Sequence, residues 1–185
     1  MCGIIGYIGS RNTQDILVSG LKRLEYRGYD SSGIVTVDAN GEALKLRAVG
    51  KVVELANLVA THQSEGVAGI GHTRWATHGV PSELNAHPHQ AGEIYLVHNG
   101  IIENYKELKA ELKNHKFVSE TDTEVLAALI EELYQRPDVK LENAVTQALK
   151  LVRGTYGIAV LSTREPGKVV VARAGSPLII GMGDE

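Results

Sequence analysis

Short apolar runs closed by glycine or polar turns are interspersed along the chain with stretches whose apolar residues recur every three or four positions. The first pattern is typical of strands and the second of amphipathic helices. We expect strands at 3–8, 34–37, 44–49, 67–72, 94–98, 156–161 and 169–174. We expect helices around 16–24, 52–59, 105–114, from 121 onwards and over 141–152. Strands and helices occur in mixed groups rather than in strict alternation, which predicts an α+β domain with antiparallel sheet.

Local signals fix several element boundaries. Asn40-Gly41 favours a tight hairpin turn between two strands, and residues 164–167 suggest a second hairpin. Thr121 is followed three residues later by Glu124, a capping box that predicts the start of a helix. The chain stops just after a strand-like run at 178–180, so we expect it to be a C-terminally incomplete piece of a longer protein.

Composition excludes several classes of protein. The 185 residues are 43% hydrophobic and 22% charged, which suits one folded domain. Nineteen Lys and Arg against 22 Asp and Glu give a net charge of −3, without the basic patch of a nucleic-acid binder. No apolar stretch is long enough to cross a membrane and no secretory signal is readable, so we expect a cytoplasmic protein. A single cysteine excludes a disulfide framework.

That single cysteine is Cys2, next to the chain start. Methionine aminopeptidase generally removes Met1 before a small residue such as cysteine, which would place a thiol and a free α-amine on one residue. The amine has an ordinary pKa of about 7.7–8.0 and can act as the general base for the thiol. The alternative is that Cys2 is a small buried hydrophobe that begins a strand.

Two charged residues and an Asn-Gly pair could form a site for an amino acid. Arg74 offers a planar guanidinium suited to a carboxylate, and Asp122 offers a fixed negative charge for an ammonium. Asn99 and Gly100 could together supply two donors to an oxyanion. Each has a simpler alternative: a surface ion pair for Arg74, helix capping for Asp122 and an ordinary turn for Asn99-Gly100.

Five of the seven histidines lie within 27 residues, at positions 72, 78, 87, 89 and 98. Zinc-enzyme spacing is absent, so we expect hydrogen-bonded structural or substrate-contacting rings rather than a metal site. Residues 27–33 contain glycines and arginine but no nucleotide fingerprint. We therefore expect a buried polar turn that supports Cys2, and no cofactor. Trp75 is either a core residue or a mobile cover over a pocket.

Four motifs together resemble one family closely: residues 1–4 with 27–31, residues 72–79, residues 98–104 and residues 121–124. They are similar to the class II glutamine amidotransferases. Within that family, residues 24–30 and 99–104 favour the glutaminase domain of the glutamine–fructose-6-phosphate aminotransferases over the amidophosphoribosyltransferases. The similarity extends over essentially all 185 residues.

The resemblance implies an N-terminal nucleophile hydrolase fold, a four-layer αββα sandwich of antiparallel sheets. It implies that Cys2 attacks the side-chain amide of L-glutamine and forms a γ-glutamyl thioester, while Asn99 and Gly100 stabilise the oxyanion. The remaining implied roles concern binding and access. Arg74, Thr77 and His78 would hold the α-carboxylate of glutamine. Asp122 and the Gly100 backbone would hold its α-ammonium. Arg27 would support the nucleophile, and Trp75 would gate the passage of ammonia.

The resemblance also implies that residues 1–185 are a glutaminase domain whose sugar-isomerase domains lie elsewhere in a longer, homodimeric enzyme. Ammonia would there convert fructose 6-phosphate to glucosamine 6-phosphate. Two alternatives stay open: a domain that supplies ammonia to phosphoribosyl pyrophosphate, and a catalytically silent piece that binds only a ligand or a partner domain.

Overall fold

The computed structural model describes residues 2–75 and 80–183. Within these residues, eight strands form two four-stranded antiparallel sheets with the strand orders β1-β4-β2-β3 and β5-β6-β7-β8. The strands are β1 (Gly3–Ile8), β2 (Ser31–Val37), β3 (Ala43–Val49), β4 (Ala68–Arg74), β5 (His89–Ala91), β6 (Ile94–Ile102), β7 (Gly154–Ser162) and β8 (Val170–Ala174). The helices are α1 (Thr13–Leu24), α2 (Val52–Thr61), α3 (Tyr105–Glu111), α4 (Asp122–Tyr134) and α5 (Leu141–Leu151).

The outer face of each sheet is covered by helices. Leu17 and Leu21 of α1 and Leu55 of α2 are fully buried against Ile34 of the first sheet. On the second sheet, α4 supplies a nearly continuous apolar surface that packs against β6 and α5. Helices α1, α2 and α5 each bury one apolar face, which accounts for their periodicity in the sequence, whereas residues 122–130 of α4 are all buried.

A third core lies between the sheets. Val35 and Ile70 of the first sheet pack against Tyr95, Val97 and Leu161 of the second. These residues alternate along their strands with residues that face the helices, as a sheet covered on both faces requires. The result is the helix–sheet–sheet–helix sandwich that the family resemblance implies.

Most predicted elements are present, with three corrections. The strand predicted to end at Asn99-Gly100 continues to Ile102, so this pair lies inside β6 and is not a turn. The short strand β5 was not predicted, because three residues are too few to show a period. The run at 178–180 is not a strand; residues 176–183 have no regular structure.

The predicted antiparallel hairpins and the predicted cap of α4 are confirmed, but residues 38–42 form a five-residue connection between β2 and β3 rather than a tight two-residue turn. Gly41 has φ +85° between β2 and β3, and the Thr121 side chain accepts a hydrogen bond from Glu124 N. Glu124, however, accepts from the Val118 and Ser119 amides rather than from Thr121. The capping box is therefore only half formed. Nowhere in the described part of the chain is a helix long and apolar enough to cross a bilayer.

Candidate active site

Cys2 lies immediately before β1, an edge strand of the first sheet. Its Sγ accepts a hydrogen bond from the Trp75 backbone N–H at 3.2 Å. Its carbonyl oxygen accepts two more, from Arg27 Nε and from Asn99 Nδ2, both at 3.1 Å. Three separate segments therefore fix the backbone and the sulfur of this residue.

Burial raises the pKa of the Cys2 thiol above its ordinary value. The Trp75 hydrogen bond and the positive charge of Arg74 act in the opposite direction but do not cancel the effect of burial. A thiol of this kind is mostly protonated near neutral pH, so it needs a base before it can act as a nucleophile.

Asn99 and Gly100 are brought to Cys2 by β6 of the second sheet. Gly100 has φ +139°, a conformation that residues with a side chain rarely adopt. A Cβ at this position would lie 2.0 Å from the carbonyl oxygen of Thr155 on β7. Both its backbone angle and the close approach of β7 therefore require glycine.

Arg74 and Asp122 are almost completely buried, with 3% and 5% of their surfaces exposed. Arg74 is the last residue of β4 and Asp122 is the first residue of α4. Asp122 Oδ2 accepts a hydrogen bond from Ile102 N at 2.8 Å, which ties the start of α4 to the end of β6. The fold thus holds one cationic and one anionic side chain away from bulk water, where their charges are weakly screened.

These residues line a single cavity of about 1010 Å³ that runs between the sheets. The predicted site residues found in its lining are Cys2, Arg27, Arg74, Trp75, Asn99, Gly100 and Asp122. The predicted binding residues Thr77 and His78 lie outside the described residues. The cavity is large enough for an amino acid, and its walls combine apolar strand residues with a few polar groups, as ligand sites commonly do.

Trp75 and Arg27 lie on the side of the cavity next to Cys2. The Trp75 side chain is half exposed and makes an edge-to-face contact with Tyr29, with ring centroids 5.8 Å apart. It is therefore not a core residue. Arg27 contacts the Cys2 carbonyl. The prediction of a buried polar turn over residues 27–33 is wrong, because Tyr29 is 55% exposed and residues 31–33 belong to β2.

Four of the clustered histidines, at positions 72, 87, 89 and 98, are buried together, and three of them bond threonine hydroxyls. The His87 ring stacks on the His72 ring with centroids 4.1 Å apart. His87 and His98 both contact Thr123 Oγ1, and His89 contacts Thr121 Oγ1. Among the described residues no group of side chains is arranged to hold a metal ion.

Sequence reasoning missed one contact of this cluster. His72 Nε2 lies 2.8 Å from Asn99 Oδ1, so a histidine of the first sheet touches the proposed oxyanion donor of the second. The alternation of β4 places His72 and Arg74 on the same face of the strand, which is the signal that could have suggested it.

Two antiparallel sheets that face each other between helices, with a cysteine at the start of an edge strand, are the architecture of the N-terminal nucleophile hydrolase fold. Residues 72–183 match the family model described as the glutamine amidotransferase domain. This chain belongs to that family.

Curated relatives extend the similarity over the whole chain. It is 54% identical over 190 residues to the glutamine–fructose-6-phosphate aminotransferase (isomerizing) of Chlorobaculum tepidum, covering 100% of this chain and 31% of the relative. It is 53% identical over 186 residues to the enzyme of the same name from Escherichia coli K12, covering 99% of this chain and 30% of the relative. The chain therefore spans about a third of the length of these relatives.

Among solved structures, the fold is similar to a glutamine phosphoribosylpyrophosphate amidotransferase from B. subtilis. The TM-score is 0.76 at 28% identity, and the match covers 94% of this chain and 37% of that chain. The lower identity makes this alternative a more distant neighbour than the aminotransferases, in agreement with the motif comparison.

Proposed function

We propose that this domain hydrolyses L-glutamine to glutamate and ammonia with Cys2 as the nucleophile. The observation that carries the proposal is the single cavity that joins the Cys2 thiol, two potential oxyanion donors, a buried arginine and a buried aspartate. An amino acid carries a carboxylate and an ammonium, and these two buried charges complement them.

Glutamine binding follows from that complementarity. Arg74 binds the α-carboxylate, together with Thr77 and His78. Asp122 binds the α-ammonium with the Gly100 backbone. Because both anchors hold the main-chain end of the substrate, the side-chain amide is left to reach Cys2.

Hydrolysis then takes two steps. The Cys2 sulfur attacks the amide carbon while its proton passes to the α-amine exposed by removal of Met1. The carbonyl electrons move onto oxygen, where Asn99 Nδ2 and the Gly100 N–H stabilise the charge. The C–N bond breaks, and the amine gives its proton to the departing nitrogen, which leaves as ammonia. Water then attacks the γ-glutamyl thioester, releasing glutamate and restoring the thiol.

The raised thiol pKa agrees with this scheme. A thiol that is protonated at neutral pH is a weak nucleophile unless an adjacent base removes its proton. The α-amine is close to the sulfur because both belong to the same residue. Arg27 holds the Cys2 carbonyl, which keeps the nucleophile in place, and the half-exposed Trp75 gates the passage of ammonia.

We further propose that residues 1–185 form the glutaminase domain of a longer protein that acts in the cytoplasm as a homodimer. Ammonia passes to sugar-isomerase domains of the same protein, where fructose 6-phosphate becomes glucosamine 6-phosphate. The support is the 52–54% identity to aminotransferases of that name.

The test is glutamate release by the complete gene product and its Cys2 variants. Cys2→Ala should abolish release, and Cys2→Ser should weaken it strongly because an alcohol is a poorer nucleophile than a thiol. Unchanged release by the alanine variant would remove Cys2 from the mechanism. Supplying fructose 6-phosphate or phosphoribosyl pyrophosphate as acceptor then decides between the two amidotransferase activities.

A further inference from the structure

The buried imidazole of His72 is positioned between the two sheets at the proposed oxyanion site. Its Nε2 lies 2.8 Å from Asn99 Oδ1 and 3.2 Å from the His98 carbonyl oxygen. The stacked ring of His87 packs against it at a nearly parallel angle of 25°. The His72 ring is therefore held in one orientation by the strand β4 that carries it and by the stacked ring of His87.

The hydrogen-bond partners determine which nitrogen of His72 carries the proton. Asn99 Nδ2 donates to the Cys2 carbonyl, which can only accept, so the amide oxygen of Asn99 must point towards His72. The second neighbour of Nε2, the His98 carbonyl, is also an acceptor. Nε2 must therefore donate, and the proton of the neutral ring lies there.

The other nitrogen of the ring is consistent with that assignment. Among the described residues, Nδ1 of His72 is buried without a hydrogen-bond partner. A proton on Nδ1 would leave a buried donor unpaired, which is costlier than an unpaired lone pair in most settings. Burial also lowers the pKa of His72 to about 3, and the neighbouring His98 and Arg74 act in the same direction. The ring is neutral throughout the physiological pH range.

We propose that His72 is a positioning residue, whose Nε2–H holds Asn99 Oδ1 so that the amide N–H groups of Asn99 face the reacting carbonyl. The inference rests on the proposed glutamine hydrolysis and adds to it a residue that does not touch the substrate. Without this bond, the Asn99 amide is held only by its Nδ2 hydrogen bond to the Cys2 carbonyl. Rotation of the amide then becomes easier, and a rotated amide presents its oxygen to the developing negative charge, which opposes catalysis.

Two amide substitutions of His72 distinguish the roles of its nitrogens. Gln places an N–H donor near the position of Nε2, whereas Asn is too short to do so. In the complete gene product, His72→Gln should keep kcat for glutamate release within about 3-fold of the parent. His72→Asn should lower kcat by about 10-fold, the effect of roughly one hydrogen bond, and leave the KM for glutamine within about 2-fold.

His89→Asn is the matched control. His89 is equally buried, but its Nε2 bonds the Thr121 hydroxyl, whereas His72 Nε2 bonds Asn99. Its replacement should lower the melting temperature to a similar extent as His72→Asn and leave kcat within about 2-fold of the parent. Equal losses of kcat in the two variants would show that general destabilisation explains the effect and would overturn the proposal.

A double-mutant cycle tests whether His72 acts through Asn99. Asn99→Ala alone should cost on the order of 100-fold in kcat. If His72 acts only by orienting Asn99, adding His72→Asn to the Asn99→Ala variant should lower kcat by less than about a further 2-fold. A full 10-fold loss in the Asn99→Ala background, or a His72→Gln variant as poor as His72→Asn, would overturn the inference. Failure of the proposed function would be distinguishable from these outcomes, because the parent protein itself would then show no glutamate release that depends on Cys2.

Discussion

Replacing Gly100 by alanine tests how the fold builds the proposed oxyanion site. At φ +139° a side chain costs about 1–3 kcal/mol in backbone strain alone. In addition, the new methyl group would lie 2.0 Å from the Thr155 carbonyl oxygen, far inside contact distance, so β6 and β7 would have to separate locally. We expect a total loss of about 3 kcal/mol or more in the free energy of unfolding.

Gly167 provides a matched control. It also has a positive φ, +76°, but a Cβ there would meet nothing within 4 Å. Gly167→Ala should therefore cost only about 1–2 kcal/mol, the strain of a left-handed residue.

Urea unfolding of both variants and glutamate release by the complete gene product are the assays. Gly100→Ala should unfold at clearly lower urea than Gly167→Ala, and it should lose about 100-fold in turnover because its N–H is displaced from the oxyanion. Equal stability of the two variants, or full activity of Gly100→Ala, would refute the view that β7 and the backbone angle together demand glycine.

Three further predictions concern the helices and the histidine cluster. Thr121→Ala should cost about 1 kcal/mol in unfolding free energy by removing the cap of α4, and Thr121→Ser should restore most of it. Ile130→Ala should cost about 2–5 kcal/mol, because this α4 side chain is fully buried and leaves a cavity. Burial lowers the pKa values of His72 and His89 to about 3, below the ordinary value of 6.5. Below pH 6.5 the unfolded chain binds protons at these rings that the folded chain does not, so stability should fall between about pH 6.5 and 3.

Denaturation curves check all three. A serine variant no more stable than the alanine variant would contradict the capping role of Thr121, and a loss below 1 kcal/mol for Ile130→Ala would contradict its core position. For the pH effect, the free energy of unfolding of His89→Gln should fall less steeply below pH 6.5 than that of the parent. An identical slope would contradict the assignment of a neutral buried ring.

Much of the fold could be predicted because local chemistry decides it. The Asn40-Gly41 turn and the Thr121 cap need no tertiary information, since a positive φ and a hydroxyl acceptor act within a few residues. Where tertiary contacts decide, local reasoning is wrong. Asn99-Gly100 has the sequence of a turn, but pairing with β7 keeps the strand extended to Ile102.

The candidate site was also predictable only where local information decides. Residue types indicated the chemistry of Cys2, Arg74 and Asp122, but their spacing along the chain says nothing about their meeting in one cavity. The pairing of β1 with β4 brings Cys2 beside the Arg74 end of β4 although the two residues are 72 positions apart. The His72 contact with Asn99 depends on the packing of one sheet against the other, which no periodicity along a single strand records.

Glutamine hydrolysis by this domain requires Cys2 to be a reactive thiol beside a pocket for glutamine. The most direct measurement is the intact mass of the protein after exposure to a glutamine-mimicking alkylating agent, with a mapped adduct and with Cys2→Ala as control. We predict a parent species without Met1 that gains one adduct on Cys2, blocked by excess glutamine, and no adduct on the alanine variant. A parent protein that retains Met1 and stays unmodified, or an alanine variant that is labelled equally, would contradict the account.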